Sequence, residues 1–367
     1  MKIFTLNDVL RVAKRFNNKK RNYLLVNPLQ GKHLPVSPIS ALEMMNELGK
    51  KVEKIFSARL VIGFAETATA IGAIVAKNFS ENCFYLQTTR ENLPNSSFIE
   101  FLEEHSHAPE QKLFAGNFSE LLKQTDGVVF VDDEISTGKT LLNVIRQLKS
   151  KFPALNDKKI CVASIINRLS EENLAKLAAE NIFCVYLVKI NEIFDVEKFS
   201  IEPTQEILQL KKNFSFHEIN FTSDPRFGVK IGEYINQCEI SADFIAEMLK
   251  NEKDSGEILI LGTEEFMLPA IIAGRRLERE NFLVFTHSTT RSPIGVSNDE
   301  NYPIREGFKL KSFYDSARTT FIYNLKHYDA AIIMTNAENF TVGAEYLISA
   351  LNFYGIDKIF IVRCGNV

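Results

Sequence analysis

Short apolar runs alternate along the chain with segments whose apolar residues recur at helical spacing. In the first half, runs rich in β-branched and aromatic residues predict five strands, at 59–65, 82–90, 126–134, 159–168 and 181–190. The segment "ETATAIGAIVAKNFS" after the first run, and "TLLNVIRQLKSKF" after the third, predict helices. This alternation is typical of an α/β fold with a mostly parallel sheet flanked by helices.

The second half of the chain repeats the pattern of the first. "RLVIGFAETATAIGAIVAK" (59–77) is matched by "EILILGTEEFMLPAIIAGRR" (257–276), because each has a strand that ends near a glycine and then an Ala/Ile-rich helix. The tripeptide Thr-Thr-Arg follows both, at 88–90 and at 289–291. The pattern therefore predicts two tandem α/β domains, of which the second is related to the first.

A polar stretch separates the two halves. From about 192 to 224 the chain has few apolar runs and includes Pro203, as connecting segments do. A chain of 367 residues is long enough for two ordinary domains. We therefore expect a first domain at 1–205, a linker at about 206–222 and a second domain at 223–367.

The composition excludes several classes of protein. A hydrophobic content of 45%, with 29 Phe and no Trp, argues against disorder. The net charge of -3 gives no electrostatic reason to expect nucleic acid or a membrane surface as a partner. The five cysteines are scattered without a C-x-x-C pair, so we expect reduced thiols and neither disulfides nor a zinc site. The sequence shows no signal peptide and no apolar run long enough to span a bilayer, so we expect a cytoplasmic protein.

The segment "VVFVDDEISTGKT" (128–140) carries the clearest chemical pattern. Its apolar part predicts a buried strand, and Asp132 and Asp133 follow at the edge where α/β sheets bind ligands. The next residues supply hydroxyls and backbone N–H groups at a helix start, which can bind an anion. A P-loop requires glycine at position 133 and an EF-hand loop requires glycine at position 137, so both are excluded. The pattern suits a sugar phosphate, whose hydroxyls would bond to the two acids.

Residues 128–140 resemble the phosphoribosyl-pyrophosphate (PRPP) binding signature of type I phosphoribosyltransferases: four hydrophobic residues, two acids, then x-x-x-T-G-x-T. Residues 23–200 are similar to an orotate-phosphoribosyltransferase-like domain. "HSTTRSPIG" (287–295), followed by "YPIREGFKLKSFYDSARTTFIYNL" (302–325), resembles the TRSP domain. That domain is found behind such a transferase in bacterial proteins encoded with tellurite-resistance and stress operons.

The resemblance implies a type I phosphoribosyltransferase fold in the first domain. The second would be a related α/β domain without the acidic pair, because Thr335 and Asn336 stand at the matching positions. It also implies PRPP as substrate and Mg²⁺ as cofactor, bridged by the substrate near Asp132 and Asp133. These two acids and Arg90 would be catalytic: the acids would bind the ribose hydroxyls and Arg90 would neutralise the pyrophosphate.

Further site residues follow from the same resemblance. The 5′-phosphate loop would be formed by Glu134, Ser136, Thr137, Gly138, Lys139 and Thr140. The pyrophosphate loop would be formed by Ala65, Glu66 and Thr67. A mobile lid would occupy 91–114 and include His105 and His107. In the second domain, Thr289, Thr290 and Arg291 would form an anion site parallel to that of Arg90.

Several interpretations stay open at this point. Glu66 places a negative charge in the pyrophosphate loop, which is unfavourable unless it binds Mg²⁺ or points away. His105 and His107 suit phosphate contact, a metal site or a solvated loop, and Arg291 suits an anion site or a structural salt bridge. The pair Lys32 and His33 suits part of an acceptor hood or a surface turn.

The acceptor is also open. Ser136 stands where salvage enzymes for 6-oxopurines use an aspartate, which argues against hypoxanthine or guanine. We expect transfer of a phosphoribosyl group to a nucleobase-like acceptor in a stress-linked nucleotide or nucleoside-like pathway. The alternative is a non-catalytic sensor of PRPP or a nucleotide. We expect no nucleic acid or membrane partner, and a homodimer is an open alternative.

Overall fold

A computed structural model describes residues 2–16, 22–93, 96–101, 111–192, 194–250 and 256–365. Its strands are β1 (Arg11–Lys14), β2 (Tyr23–Val26), β3 (Leu60–Gly63), β4 (Phe84–Gln87), β5 (Phe98–Phe101), β6 (Gln111–Phe114), β7 (Gly127–Ile135), β8 (Lys159–Asn167), β9 (Ile182–Lys189), β10 (Gln205–Glu206), β11 (Ser215–Asn220), β12 (Val229–Lys230), β13 (Glu257–Gly262), β14 (Leu283–Ser288), β15 (Gly307–Lys311), β16 (Thr319–Tyr323), β17 (Ala330–Thr335) and β18 (Ile359–Gly365). Its α-helices are α1 (Leu6–Val9), α2 (Pro38–Glu53), α3 (Thr69–Phe79), α4 (Phe118–Lys123), α5 (Lys139–Lys151), α6 (Glu171–Ala179), α7 (Ile231–Lys250), α8 (Leu268–Arg279) and α9 (Thr341–Phe353).

The chain forms two compact units. The first unit consists of Met1–Phe4, Glu43–Glu192 and Ser223–Asn236, and the second of Thr5–Leu42, Ile193–Thr222 and Gln237–Val367. None of the α-helices in the described part of the chain is long and apolar enough to cross a membrane.

These units differ from the linear division expected from the sequence. Residues 5–42 group with the second unit, although the sequence places them in the first domain. The reason is packing between distant positions: Ala13 and Leu24 of the β1–β2 hairpin share a core cluster with Ile294 and Tyr323. Contacts between residues this far apart in the sequence cannot be predicted from the local composition of the chain.

The first unit is built on a six-stranded sheet in the order β12-β4-β3-β7-β8-β9. Its neighbouring strands are parallel except for β12, which runs antiparallel to β4. All four residues of β3 and the first five of β7 are buried, as expected for parallel strands covered on both faces. The five predicted strands are thus present, and the fifth is parallel.

The second unit is built on a five-stranded parallel sheet in the order β11-β18-β17-β13-β14. Beside it are a three-stranded sheet, β10-β15-β16, and the antiparallel β1–β2 hairpin. The α/β class predicted for both halves of the chain is confirmed.

The two large sheets share one spatial order. The order β4-β3-β7-β8-β9 in the first sheet matches the order β14-β13-β17-β18-β11 in the second. Within each of these two series, neighbouring strands are parallel. The edge strand differs in its place along the chain: β9 follows the other four strands, whereas β11 precedes its own four. The repeat seen in the sequence is therefore a repeat of sheet topology with a permuted edge strand.

The strand registers show that uncharged residues of the second unit stand at the positions equivalent to the acids of the first. Gly63, the last residue of β3, pairs with Val131 of β7, and Gly262, the last residue of β13, pairs with Met334 of β17. One residue further along β7 and β17 stand Asp132 and Thr335. The matching of Thr335-Asn336 to the aspartate pair therefore agrees with the backbone pairing.

Candidate active site

The acidic pair lies at the carboxyl end of β7, next to the turn that follows β3. β7 keeps its parallel pairing with β8 through the acids, and Asp132 lies opposite Ser164. The Asp133 Oδ1 atom accepts a hydrogen bond of 2.8 Å from the Thr67 hydroxyl, in the turn after β3. The segments expected to bind ribose and pyrophosphate are therefore in direct contact.

The two aspartates are close to each other and form no ion pair within the described residues. The Asp133 N–H donates to Asp132 Oδ1 over 2.9 Å. Burial, followed by the negative charge of Asp133, raises the pKa of Asp132 well above its ordinary value. Among the residues that the structure describes, the pair is thus a concentration of negative charge without an ion-pair partner.

This donor set suits a magnesium ion that a substrate also binds. Among the residues that the structure describes, no group of three or more His, Cys, Asp or Glu side chains could hold a metal ion by itself. Enzymes often bind Mg²⁺ through one or two carboxylates together with substrate phosphates. A cation beside Asp132 and Asp133 would relieve the repulsion that raises the pKa of Asp132. The residues present therefore fit the implied cofactor.

The expected pyrophosphate loop is a tight turn between β3 and α3. The sequence predicts a strand through Ala65 and a helix from Glu66, whereas β3 ends at Gly63 and α3 begins at Thr69. The difference arises because the Ala65 N–H donates to the side chain of Thr88, over 2.8 Å, and leaves the sheet. The Ala65–Glu66 peptide bond is cis, and the Glu66 side chain is buried.

Gln111, which the sequence did not single out, fixes this turn from the other side. Its side-chain amide donates to the carbonyl of Ala65 and accepts from the Thr88 hydroxyl. Gln111 is the first residue of β6 and lies 46 positions from Ala65. A pattern of neighbouring residues in the sequence therefore does not predict that the two residues meet. The only indication in the sequence that Gln111 belongs to the site was its position near the end of the predicted lid.

The expected 5′-phosphate loop leads into α5 through a left-handed residue. Gly138, the N-cap of α5, has φ 73°, a conformation that glycine adopts without strain. A Cβ atom there would lie 2.9 Å from Leu169 Cδ2, so the end of that side chain would have to shift, and the positive φ is the main reason for glycine. The Lys139 N–H donates to the Thr137 hydroxyl, and the exposed side chains of Thr137, Lys139 and Thr140 surround the helix start. Ser136 precedes them and is half-buried.

Glu134 forms an ion pair with Arg168, the residue that follows β8. Its Oε1 atom lies 3.4 Å from Nη1 of Arg168, and both side chains are largely buried. The Arg168 N–H also donates to the carbonyl of Ile135, at the end of β7. Glu134 therefore supports the loop through Arg168, a residue that sequence reasoning missed because it lies 34 positions away.

Arg90 follows β4 and stands beside the base of the expected lid. The preceding residue, Thr89, exchanges two backbone hydrogen bonds with Lys112, which fastens the β5–β6 hairpin to the end of β4. Arg90 is half-buried. His105 and His107 lie outside the described residues, in the connection between β5 and β6.

The second unit repeats the backbone contacts of this site. The Glu264 N–H donates to the Thr289 hydroxyl over 3.0 Å, as that of Ala65 donates to Thr88. Thr290 exchanges two backbone hydrogen bonds with Phe321 of β16, as Thr89 does with Lys112 of β6. Thr88 follows Gly63 by 25 positions and Thr289 follows Gly262 by 27, whereas Ala65 and Glu264 each lie two positions after the glycine that ends the strand. Glu264 therefore corresponds to Ala65, and the β15–β16 hairpin corresponds to β5–β6.

The residues expected to form an anion site in the second unit are engaged by neighbouring groups. Arg291 Nε lies 3.0 Å from the Glu264 carboxylate. The Thr289 hydroxyl accepts from the Glu264 N–H, and the Thr290 hydroxyl accepts from Ser292 N–H. The structure places Arg291 in an ion pair, the second of the two interpretations that the sequence left open.

Lys32 and His33 are buried, so the interpretation as a surface turn is wrong. Their exposed fractions are 0% and 2%. The Lys32 ammonium donates to the backbone carbonyls of Glu264, over 2.7 Å, and Thr289, over 3.0 Å. Lys32 therefore stabilises the turn after β13 in the second unit.

Two family models match successive parts of the sequence. Residues 9–191 match the model described as "Phosphoribosyl transferase", and residues 223–351 match the model described as "TRSP domain C terminus to PRTase_2". A search of curated proteins gives no match.

Solved structures similar to part of this chain include three phosphoribosyltransferases. Adenine phosphoribosyl transferase from Trypanosoma brucei, in complex with AMP, pyrophosphate and ribose-5-phosphate, is 16% identical with a TM-score of 0.30, over 41% of this chain and 65% of that chain. APRTase from Giardia lamblia, complexed with 9-deazaadenine, is 16% identical with a TM-score of 0.35, over 50% of this chain and 94% of that chain. Orotate phosphoribosyltransferase from Mycobacterium tuberculosis, in complex with inorganic phosphate, is 14% identical with a TM-score of 0.28, over 50% of this chain and 89% of that chain. The chain thus spans slightly less than two thirds of the first of these proteins.

The resemblance inferred from the sequence is confirmed by the family models, which follow each other in the expected order. The chain is a transferase enzyme that belongs to the phosphoribosyl transferase family in residues 9–191 and carries a TRSP domain behind it.

Proposed function

We propose that the first unit transfers the phosphoribosyl group of PRPP to a nucleobase-like acceptor, with Mg²⁺ as cofactor. The observation that carries the proposal is the hydrogen bond from Thr67 to Asp133, which joins the turn after β3 to the acidic end of β7. A molecule that has both a ribose and a pyrophosphate would contact both segments at once. PRPP is such a molecule, because its pyrophosphate is attached to the anomeric carbon of its ribose.

The acids and the start of α5 would bind the ribose phosphate. Asp132 and Asp133 are acceptors for ribose hydroxyls, and their negative charge favours positive charge on the sugar ring in the transition state. The backbone N–H groups at the start of α5, with the hydroxyls of Thr137 and Thr140, would receive the 5′-phosphate. Gly138 allows the backbone to approach the phosphate closely.

The turn after β3 and Arg90 would bind the leaving pyrophosphate. The guanidinium of Arg90 would neutralise its charge, and the Thr67 hydroxyl lies at the boundary between pyrophosphate and ribose. When bound, Mg²⁺ would supply further positive charge to the leaving group. The reaction needs no covalent nucleophile from the protein, since the acceptor itself attacks the anomeric carbon.

The lid would exclude water from the reacting carbon. The β5–β6 hairpin is fastened to Thr89 next to Arg90, so a closing lid would meet the pyrophosphate first. His105 and His107 of this lid would contact phosphate or donate a proton. Exclusion of water favours transfer to the acceptor over hydrolysis.

The proposal extends to the setting of the enzyme. We place it in the cytoplasm, which is supported by the absence of disulfides among the five cysteines, all of which are free. The acceptor belongs to a stress-linked nucleotide or nucleoside-like pathway, and the partners are small molecules and, as one alternative, a second copy of the chain. Light scattering of the purified protein tests the homodimer.

A non-catalytic sensor of PRPP is the second candidate function. The observation that favours it is the burial of Glu66, 5% exposed, in the turn that would receive pyrophosphate. A carboxylate there weakens binding of a transferable pyrophosphate, which a sensor tolerates better than an enzyme does.

Release of pyrophosphate from PRPP, followed with Mg²⁺ and a panel of nucleobases, separates the two functions. The transferase requires release that depends on one class of base and yields the matching nucleotide. Tight binding of PRPP without release, or release at the same slow rate with every base and with none, would leave only the sensor.

A further inference from the structure

The carboxylate of Glu264 occupies a polar centre in the second unit. Glu264 is fully buried and accepts hydrogen bonds from three side chains: Ser312 Oγ at 2.6 Å, Arg291 Nε at 3.0 Å and Arg318 Nη1 at 3.2 Å. Two guanidinium groups and a hydroxyl around one carboxylate form the set of donors that also binds phosphate oxygens.

This centre corresponds to the pyrophosphate turn of the first unit. Glu264 stands where Ala65 stands, because both donate their N–H to the first threonine of the Thr-Thr-Arg tripeptide. Arg291 stands where Arg90 stands. A ligand oxyanion in the first unit and the Glu264 carboxylate in the second would thus be received by equivalent positions.

The connection between β15 and β16 is closed over the centre. Ser312 and Arg318 both belong to this connection, which corresponds to the expected lid of the first unit. Tyr314, between them, donates its hydroxyl to Asn336 Oδ1 over 2.6 Å. Asn336 is the counterpart of Asp133, so side chains of the second unit also occupy the position that corresponds to the ribose acids.

We propose that Glu264 is an internal substitute for a ligand oxyanion, which holds the second unit in a closed form and prevents it from binding pyrophosphate or PRPP. The backbone at Glu264 is fixed independently of its carboxylate, by the Thr289 hydroxyl and by the Lys32 ammonium. Removal of the carboxylate would therefore take away the acceptor that Arg291, Arg318 and Ser312 share, while Arg318 would keep its contact of 3.7 Å with Asp315. The proposal rests on the proposed function only in the choice of pyrophosphate as the oxyanion.

Glu264→Gly is the appropriate variant, because Glu264 has φ 48° and glycine adopts this conformation without strain. The variant is made in an Arg90→Ala chain, so that binding at the first unit does not obscure the result. Inorganic pyrophosphate is titrated by calorimetry into the parent and the variant. We expect the variant to gain one site per chain and to bind at least about tenfold more tightly than the parent.

Two further variants locate the new site. Adding Arg291→Ala, or separately Arg318→Ala, to the Glu264→Gly chain removes the gained binding if it uses the predicted donors. Glu264→Gln, which keeps the length of the side chain and an oxygen acceptor, serves if the glycine variant does not fold. Its loss of charge predicts a smaller gain of binding at the same place.

A folded Glu264→Gly chain that binds no more pyrophosphate than its parent overturns the proposal. So does pyrophosphate bound to a chain that retains Glu264, if Arg291→Ala removes it. These outcomes are independent of catalysis. A first unit that releases no pyrophosphate from PRPP refutes the proposed function and leaves the gain of binding by Glu264→Gly unaffected.

Discussion

The two units share their strand order and the hydrogen bonds of the Thr-Thr-Arg turn, but they treat charge in opposite ways. In the first unit the described residues leave Asp132 and Asp133 without an ion-pair partner at the sheet edge. In the second unit the cations Arg291 and Arg318 are neutralised by Glu264 from the same unit. The backbone of the site is therefore compatible both with a site that awaits a ligand and with one filled by its own side chains, and single residues decide between them.

The largest expected effect comes from removing the charge that the second unit lacks. In Asp132→Asn combined with Asp133→Asn, we expect PRPP-dependent release of pyrophosphate to fall by at least about a thousandfold, because the positive transition state loses its counter-charge. The fold is retained, since both side chains lie at the sheet edge. Circular dichroism and a pyrophosphate assay measure the two properties. Asn336→Ala, at the counterpart of Asp133, is the control and leaves turnover unchanged; equal losses in both variants would contradict the assignment.

Gly138 tests whether the phosphate loop depends on its left-handed start. Gly138→Ala places a Cβ atom at positive φ and 2.9 Å from Leu169, so we expect a loss of about 2–3 kcal/mol in the free energy of unfolding, with weaker binding of PRPP. Gly355 has the same φ of 73°, and its Cβ atom would meet nothing closer than His327 Nδ1 at 3.5 Å. Gly355→Ala should therefore cost only about 1 kcal/mol, with PRPP binding intact. Urea unfolding and calorimetric titration distinguish the two, and similar effects of both changes would remove the special role of Gly138.

Thr67 tests the contact between the two substrate segments. Thr67→Val removes the hydrogen bond to Asp133, and we expect KM for PRPP to rise about fivefold, the equivalent of one hydrogen bond. Thr125→Val, at the opposite end of β7, removes the bond from its hydroxyl to the carbonyl of Gly127. The control should lower stability without changing KM. A Thr67 variant with normal KM would show that this contact is structural only.

The smallest effect concerns the dependence of stability on pH. Because the pKa of Asp132 is higher in the folded than in the unfolded protein, the folded state binds more protons and its stability falls as pH rises from the ordinary aspartate pKa through the raised one. Asp132→Asn removes this penalty, so the variant should gain in Tm relative to wild type as pH rises above the ordinary aspartate pKa of about 4. Thermal unfolding across that range gives the difference. If the difference in Tm between variant and wild type stays constant or falls as pH rises, the pKa of Asp132 is not raised in the folded protein.

Local patterns were sufficient for much of the fold and for part of the candidate site. The apolar runs located five of the six strands of the first sheet, because buried parallel strands are nearly continuous in hydrophobicity. The T-G-K-T pattern placed Gly138 at a turn into a helix, where the structure has it at positive φ. These features depend on residues that are neighbours in sequence.

Contacts between distant positions were not accessible in the same way. The start of α3 was misplaced because the Ala65 N–H bonds to Thr88, 23 positions away. Glu264 was seen only as an acid in a loop, since its partners Arg291, Ser312 and Arg318 lie 27, 48 and 54 positions further along the chain. A single sequence contains such residues without indicating that they meet.

The permuted edge strand also bears on the order in which the sheets assemble during synthesis. In the first unit each new strand can join strands that have already left the ribosome, and β9 simply completes the edge beside β8. In the second unit β11 emerges before its four companions, yet its partner in the sheet is β18, which emerges after β17. An early edge strand that awaits a late central one raises the contact order and prolongs the time for which its backbone is open to pairing with other chains. Translation speed and chaperone access should therefore matter more for the TRSP half of the protein than for the transferase half.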